Sequence, residues 1–269
     1  MYTCELFLKI RLDLIPDLLS NAISMLDFTP ITMDVFYNEF KKSKDFIEYN
    51  REYIINNLSK SEMDDGITRV SFYDGKYTRE NITPFFRFGI NDTTFNEELV
   101  SCTFEWVAYQ NLDWLLKDEF ILKNLLIENI DLVYLLAYNQ NDTYLETTED
   151  NKNTILSSKL FEKKNWGRKV VVNGLTFIAA PLMYFGKAYN KVILMDNIKT
   201  DEKAKTFRIN GSEVIKIEIF PLYKNAKEYR KEQETYWKKI NLSKQIERYK
   251  KETTIDFTEF LKKRSSLKK

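Results

Sequence analysis

Carboxylates are the only side chains that this sequence offers in quantity for acid–base or metal chemistry, because the chain has no histidine. They concentrate in residues 62–65 and in a second cluster formed by Asp142, Glu146, Glu149 and Asp150. Carboxylate oxygens are the ligands that Mg²⁺ and Ca²⁺ prefer. Neither cluster has the Asp-x-Asp-x-Asp-Gly spacing of a calcium loop. We therefore interpret both as solvated acidic loops, and we expect no metal and no cofactor.

The other common sources of catalytic chemistry are missing from the sequence. The absence of histidine excludes serine and cysteine triads and zinc sites with imidazole ligands. The seven glycines are never closer than seven positions apart, which excludes the dinucleotide-binding, phosphate-loop and nucleophile-elbow motifs. A metal-dependent nuclease signature also fails, because Glu213, Lys216 and Glu218 have the wrong spacing or order. We therefore expect a protein that is not an enzyme.

The two cysteines, Cys4 and Cys102, lie at alternate apolar positions of segments that resemble strands. A free cysteine on such a face behaves as a small hydrophobic residue, and we expect neither a nucleophile nor a disulfide. The first residues lack the basic and apolar regions of an export signal. No apolar run approaches the roughly 18 residues of a membrane span. These observations predict a cytoplasmic protein without a membrane partner.

Charge is distributed unevenly along the chain, although the net charge is only +1. Residues 223–269 hold 15 basic and 7 acidic side chains, a net charge of +8. Residues 1–222 hold 26 basic and 33 acidic side chains, a net charge of −7. We therefore expect an acidic body, 1–222, and a basic C-terminal segment, 223–269, packed on the same domain. Such asymmetry concerns the choice of partners rather than the fold.

Hydrophobic periodicity predicts the elements of the first half. Residues 3–12 alternate with period two and predict a strand, and Pro16 is typical of the first turn of a helix. Residues 32–58 fit one or two helices with an inner stripe of Phe46, Tyr49, Tyr53 and Ile54. The period then returns to two between residues 66 and 108. This pattern predicts a hairpin at Asp74-Gly75, two further strands, a helical region over residues 110–128 and a strand over residues 132–138.

Two Asn-Gly pairs mark tight hairpins in the second half, at residues 173–174 and 210–211, because both central residues of a type I′ turn need positive φ. In the second hairpin a two-residue turn places Arg208 opposite Glu213, a favourable pair. It also places Lys205 opposite Lys216, which is unfavourable. Helical periodicity resumes at residue 225. The order of elements predicts an α+β fold with a mainly antiparallel sheet built from hairpins, packed helices and a helical C-terminal segment.

Three of the four tryptophans are expected to be buried anchors: Trp106, Trp114 and Trp237. Trp166 lies beside Gly167 and Arg168 between predicted elements, so we expect it to be exposed and able to contact a partner.

Several stretches of the sequence resemble bacterial immunity proteins, which protect a cell from a polymorphic or secreted antibacterial toxin. These stretches are residues 173–181 (Asn-Gly-Leu-Thr-Phe-Ile-Ala-Ala-Pro), residues 132–142, and residues 213–222 leading into the predicted helix 223–240. The resemblance implies a non-catalytic cytoplasmic protein that binds one cognate toxin and blocks its active site. Members of this class use different surfaces, so no binding residue carries over to this chain.

If the chain is an immunity protein, we expect contact through Trp166 and the acidic loop 142–150, because such a loop can cover the basic cleft of a nuclease-like toxin. The alternative is a nucleic-acid-associated or scaffold protein that uses the basic C-terminal helices. Its candidate phosphate contacts are Lys244, Arg248, Lys250, Lys251, Lys262, Lys263 and Arg264. The third hypothesis is an enzyme of unrecognised type that uses carboxylates for catalysis.

Overall fold

Strands account for most of the regular structure. The computed structural model describes residues 2–37, 43–58, 66–76, 84–92, 99–108, 111–125, 130–139, 170–172, 175–177, 179–191, 198–199, 201–209, 211–223, 226–239, 244–245, 247–248 and 251. The strands within these residues are β1 (Tyr2–Arg11), β2 (Thr32–Tyr37), β3 (Lys44–Glu48), β4 (Ile67–Tyr73), β5 (Phe85–Asp92), β6 (Leu99–Ala108), β7 (Ile130–Asn139), β8 (Val170–Val172), β9 (Leu175–Phe177), β10 (Leu182–Phe185), β11 (Ala204–Ile209) and β12 (Ser212–Glu218).

Helices connect several of these strands. They are α1 (Ile15–Ser24), α2 (Arg51–Asn56), α3 (Asp113–Leu116), α4 (Phe120–Leu125) and α5 (Ala226–Lys239). Short 3-10 turns cover Leu12–Leu14, Lys117–Glu119 and Lys187–Lys191.

Ten of the strands form one antiparallel sheet, in the order β11-β12-β10-β7-β1-β6-β5-β4-β2-β3. Strands β8 and β9 form a separate two-stranded antiparallel sheet in which Val172 is opposite Leu175. The prediction of an α+β fold with a mainly antiparallel sheet is confirmed.

Strand β1 lies in the middle of the sheet, and its alternating apolar residues pack against a layer of helices. Leu6, Leu8 and Ile10 are buried in the main core cluster, on the face that helices α1 to α4 cover. Full burial of one such side chain contributes about 1.5–3 kcal/mol. Helix α1 packs there through buried residues with helical spacing, namely Ile15, Leu18, Leu19 and Ala22. Trp106 is buried in this cluster as predicted.

A second core cluster lies on the opposite face of the sheet, over β7, β10 and β12. Side chains such as Leu136 and Met183 point into it and meet Tyr189, Phe220 and Tyr236, which come from outside the sheet. This half of the sheet is therefore buried on both faces. Gly186 permits the close approach of two strands, because a Cβ atom there would lie 1.7 Å from the carbonyl oxygen of Leu132.

The helical prediction for residues 32–58 is wrong for most of that segment. Residues 32–37 form β2, in which every second residue is buried. Phe46 lies on β3 and is 40% exposed, so it does not belong to an inner helical stripe. Helix α2 covers only Arg51–Asn56, where the side chain of Asn50 accepts a hydrogen bond from the backbone N–H of Tyr53 at 2.8 Å. Pairing of β2 with β4 decides the structure, and a local helical pattern cannot reveal that pairing.

The connection predicted at Asp74-Gly75 is longer than a tight turn. Strands β4 and β5 pair as neighbours, but Tyr73 is opposite Phe85, so residues 74–84 join them. The helical region predicted for residues 110–128 is interrupted by a 3-10 turn whose Glu119 has a φ of 62°.

The hairpin of β11 and β12 has the predicted register. Arg208 is opposite Glu213, and Lys205 is opposite Lys216. Gly211 has a φ of 80°, in the left-handed region that the tight turn needs. The ammonium of Lys216 lies 5.5 Å from the centroid of the Tyr184 ring, which gives this residue a favourable partner despite the lysine opposite it.

Candidate functional site

The contact residues predicted from the sequence lie outside the described residues. They are Asp142, Glu146, Glu149, Asp150 and Trp166. The structure therefore neither brings them together nor separates them, and they remain predictions.

A row of polar side chains crosses five strands on the face opposite α1 to α4. Asp34 pairs with Ser71, Ser71 with Arg87, Arg87 with Glu105, and Glu105 with Glu5. Directly opposite residues point to the same side of an antiparallel sheet, so the five side chains lie next to one another. We call this set the polar row.

Arg87 connects the middle of the polar row. Its Nη1 donates to Oε2 of Glu105 at 3.0 Å, and its Nε donates to Oγ of Ser71 at 3.2 Å. The guanidinium also lies 5.2 Å from the centroid of the Phe85 ring. This cation offsets the repulsion between Glu105 and Glu5, which are opposite each other across β6 and β1.

Two tyrosines of β7 bind the end of the polar row at Glu5, which is 5% exposed. The hydroxyl of Tyr134 donates to Oε1 of Glu5 at 2.6 Å, and Tyr138 also forms a side-chain hydrogen bond with Glu5. Burial raises the pKa of Tyr138, and the negative charges of Glu5 and Glu105 raise it further. The hydroxyl of Tyr138 therefore stays protonated.

Asp34 ends the polar row near the sheet edge and is also satisfied. Its Oδ1 accepts from the backbone N–H of Phe46 at 2.8 Å, and its Oδ2 accepts from the hydroxyl of Tyr73 at 2.7 Å. Phe46 has a φ of 52°, a conformation that a phenylalanine rarely adopts. The carboxylate of Asp34 stabilises this residue in place.

The geometry of the polar row favours a role in structure. The carboxylates of Glu5, Glu105 and Asp34 accept hydrogen bonds from side chains or backbone of the same sheet, and a satisfied network of this kind, buried at Glu5 and partly buried at Glu105, favours one strand register. Among the described residues no group of three or more acidic, cysteine or histidine side chains could hold a metal ion. Thr3, two residues from Glu5, is buried, and its Oγ1 has no hydrogen-bond partner in the part of the chain that the structure describes.

The sequence reasoning missed the polar row. The available signal was a charged residue between core-facing apolar residues within each of three strongly apolar strands, namely Glu5, Arg87 and Glu105. Such residues are rarely buried unless they are paired. The prediction for Cys4 and Cys102 is confirmed, since both are buried and free, and burial raises the pKa of both thiols.

A groove of about 500 Å³ opens where β7 carries an extra residue between the partners of Phe7 and Leu8. Leu132 and Val133 line the groove, and its polar lining includes Asp131 and Lys187. The ammonium of Lys187 lies 2.7 Å from Oδ1 of Asp131, so these two charges already compensate each other.

The two edges of the sheet differ in how well they could accept another strand. Edge strand β3 is irregular, because its pairing with β2 shifts between Met33 and Val35 and Phe46 is left-handed. Bulges and charged side chains of this kind protect an edge from further pairing. Edge strand β11 pairs with β12 through six consecutive residues without a shift, and Lys205, Thr206 and Arg208 on it are exposed.

Helix α5 packs on the rest of the protein through the buried ring of Tyr236 and through polar contacts. Nε2 of Gln233 donates to the carbonyl of Ala179 at 2.9 Å, and Nζ of Lys239 lies 2.8 Å from Oδ2 of Asp201. Burial alone would raise the pKa of Asp201, but Lys239 and the backbone N–H of Lys203 lower it. Of the basic residues predicted to contact phosphates, Lys244, Arg248 and Lys251 are described and exposed, and the other four lie outside the described residues.

No protein-family model, curated protein or solved structure matches this chain. Within the described part of the chain, no helix has the length and apolar character needed to cross a membrane.

Proposed function

We propose that this chain is a non-catalytic immunity protein that binds one cognate bacterial toxin in the cytoplasm and blocks its active site. The resemblance of residues 132–142, 173–181 and 213–240 to immunity proteins supports the choice of partner. The observation that carries the proposal is that β11 is a regular strand at the end of the sheet that the described residues form, because an edge of this kind can pair with a strand of another protein.

The polar row supports a binding function rather than a catalytic one. Its carboxylates bind partners within the sheet, and Glu5 is almost completely buried. A general base must be within hydrogen-bond reach of a substrate proton. Glu5, Glu105 and Arg87 stabilise the sheet through their contacts with each other and with neighbouring strands. Their arrangement therefore supports a protein that acts by binding through its surface.

Growth rescue tests the proposal. The product of the adjacent open reading frame is expressed with and without this chain, and we expect growth to be restored only when both are present. A variant with a disrupted core, L6D, serves as the control because Leu6 is fully buried in β1. Toxicity that persists with the intact chain, or no toxicity from any neighbouring gene product, would overturn the proposal.

The exposed cations Lys244, Arg248 and Lys251 favour a second candidate, a nucleic-acid-associated or scaffold protein. Deletion of residues 223–269 is a poor test, because it also removes the contacts of Gln233 and Lys239 with the body. Exchange of the three cations for glutamine avoids this problem. Salt-sensitive binding to RNA or DNA that these exchanges abolish would favour the second candidate.

A further inference from the structure

We infer that β11 receives an extended segment of the partner protein, and that this segment carries carboxylates beside Lys205 and Arg208. The inference rests on the proposed function, because the partner is the toxin. It adds the contact strand, the backbone groups that pair, and the charge pattern of the incoming segment.

The hairpin geometry identifies the backbone groups that are free to pair. Ile209 and Ser212 flank a two-residue turn and form a hydrogen-bonded pair. In an antiparallel ladder such pairs alternate along the strand, so Phe207 and Lys205 also bond to β12. The N–H and C=O groups of Thr206 and Arg208 therefore point away from β12. Four backbone groups at this edge can bond to an incoming strand.

The charges on β11 specify what that strand carries. Lys205 is opposite Lys216, and like charges directly opposite each other are destabilising. Arg208 is opposite Glu213, but Oε1 of Glu213 lies 2.5 Å from Nζ of Lys199. Neither Lys205 nor Arg208 forms an ion pair with any residue in the described ranges. A carboxylate beside each of them would compensate both charges.

The spacing of the two cations sets the spacing of the carboxylates. Lys205 and Arg208 are three residues apart, so they point to opposite faces of the sheet. An incoming strand meets both when it has acidic residues three positions apart, one on each face. The expected partner segment is therefore extended and has an acidic residue at positions i and i+3.

Two variants of β11 test the inference by measuring the dissociation constant for the product of the adjacent open reading frame. T206P removes an outward N–H without affecting the pairing with β12, and edge strands tolerate such a proline. K205E/R208Q changes the charge pattern and places a carboxylate opposite Lys216, which is favourable for folding. The matched control is K123E/K231Q, which makes the same change in net charge at exposed helical positions.

We expect T206P to weaken binding at least tenfold, through lost backbone hydrogen bonds and a clash with the incoming strand. We expect K205E/R208Q to weaken it about tenfold and the control variant to bind as the wild type does. Wild-type binding that both β11 variants retain would overturn the inference and leave the proposed function standing. Failure of the wild-type chain to bind any neighbouring product would overturn both.

Hydrogen exchange on the free protein provides a measurement that needs no partner. The amides of Thr206 and Arg208 should exchange at least a hundredfold faster than those of Lys205 and Phe207. Equal protection of all four amides would show that the edge is not free, and the inference would fail. In the complex, the amides of Thr206 and Arg208 should become protected.

Discussion

Replacement of Arg87 by methionine tests the polar row, because methionine keeps an apolar side chain and removes the charge. Arg87 donates to Glu105 at 3.0 Å and is 41% exposed, so the lost hydrogen bond contributes about 1.5 kcal/mol, the low end of the range for charged groups. Its loss also removes the cation beside Glu105, so the repulsion between Glu105 and Glu5 is no longer offset by Arg87, which costs about 0.5 kcal/mol more. We expect R87M to lower the free energy of unfolding by about 2 kcal/mol.

A double-mutant cycle with E105Q separates this network from a simple loss of packing. In the wild type, E105Q weakens the bond to Arg87 but relieves the repulsion by Glu5, so we expect a cost of about 0.5 kcal/mol. In R87M the bond is already absent, and E105Q should be neutral or stabilising. The coupling between the two substitutions should therefore be about 1 kcal/mol. Urea denaturation followed by tryptophan fluorescence measures all four free energies.

The matched control is R69M on the neighbouring strand β4. The guanidinium of Arg69 lies 4.0 Å from the centroid of the Phe36 ring and is exposed, so its removal should cost about 0.5 kcal/mol. If R87M costs no more than R69M, or if the effects of R87M and E105Q are additive, the polar row is not a coupled network.

Two further changes test contacts of the structure, and a third tests the contact loop predicted from the sequence. Because Lys239 and Lys203 lower the pKa of Asp201, its carboxylate stabilises the fold above the unfolded pKa of about 3.9, and this contribution is lost as the pH falls through the lower folded value. D201N should therefore lower the free energy of unfolding by about 1.5 kcal/mol at pH 7 and by less at pH 3, as measured by urea denaturation. An equal loss at both pH values would contradict the lowered pKa of Asp201. G186A should lower the free energy of unfolding by about 3 kcal/mol, because its Cβ would lie 1.7 Å from the carbonyl oxygen of Leu132. Thermal denaturation measures this change, and a variant as stable as the wild type would refute the close approach of the two strands. Charge reversal of the acidic loop by D142K, E146K, E149K and D150K should slow association with the proposed toxin, because electrostatic steering becomes weaker. Stopped-flow measurements give the association rate, and an unchanged rate would exclude the loop as a contact.

The sequence predicted elements whose signals are local. The hairpin of β11 and β12 follows from Asn210-Gly211, because few other dipeptides adopt a type I′ turn, and its register follows from the turn length. Strand β1 follows from strict alternation over Cys4, Leu6, Leu8 and Ile10.

Features that depend on distant pairing could not be predicted in the same way. The sequence pattern of β2 predicts a helix, because the partner residues on β4 that make it a strand lie thirty or more positions further along the chain. The polar row joins Glu5, Asp34, Ser71, Arg87 and Glu105, and only the strand order of the sheet makes them neighbours. The position of β11 at the end of the sheet formed by the described residues also depends on that order, since its own sequence does not show it.

Stoichiometric titration of the purified toxin with this chain measures the central claim most directly. The claim is that the chain acts by occupying the toxin rather than by chemical change. We expect toxin activity to fall linearly to zero at about one chain per toxin, with the toxin covalently intact and its activity restored when the complex is dissociated. Complete inactivation by a small fraction of one equivalent, or a chemically altered toxin, would show turnover and contradict the account.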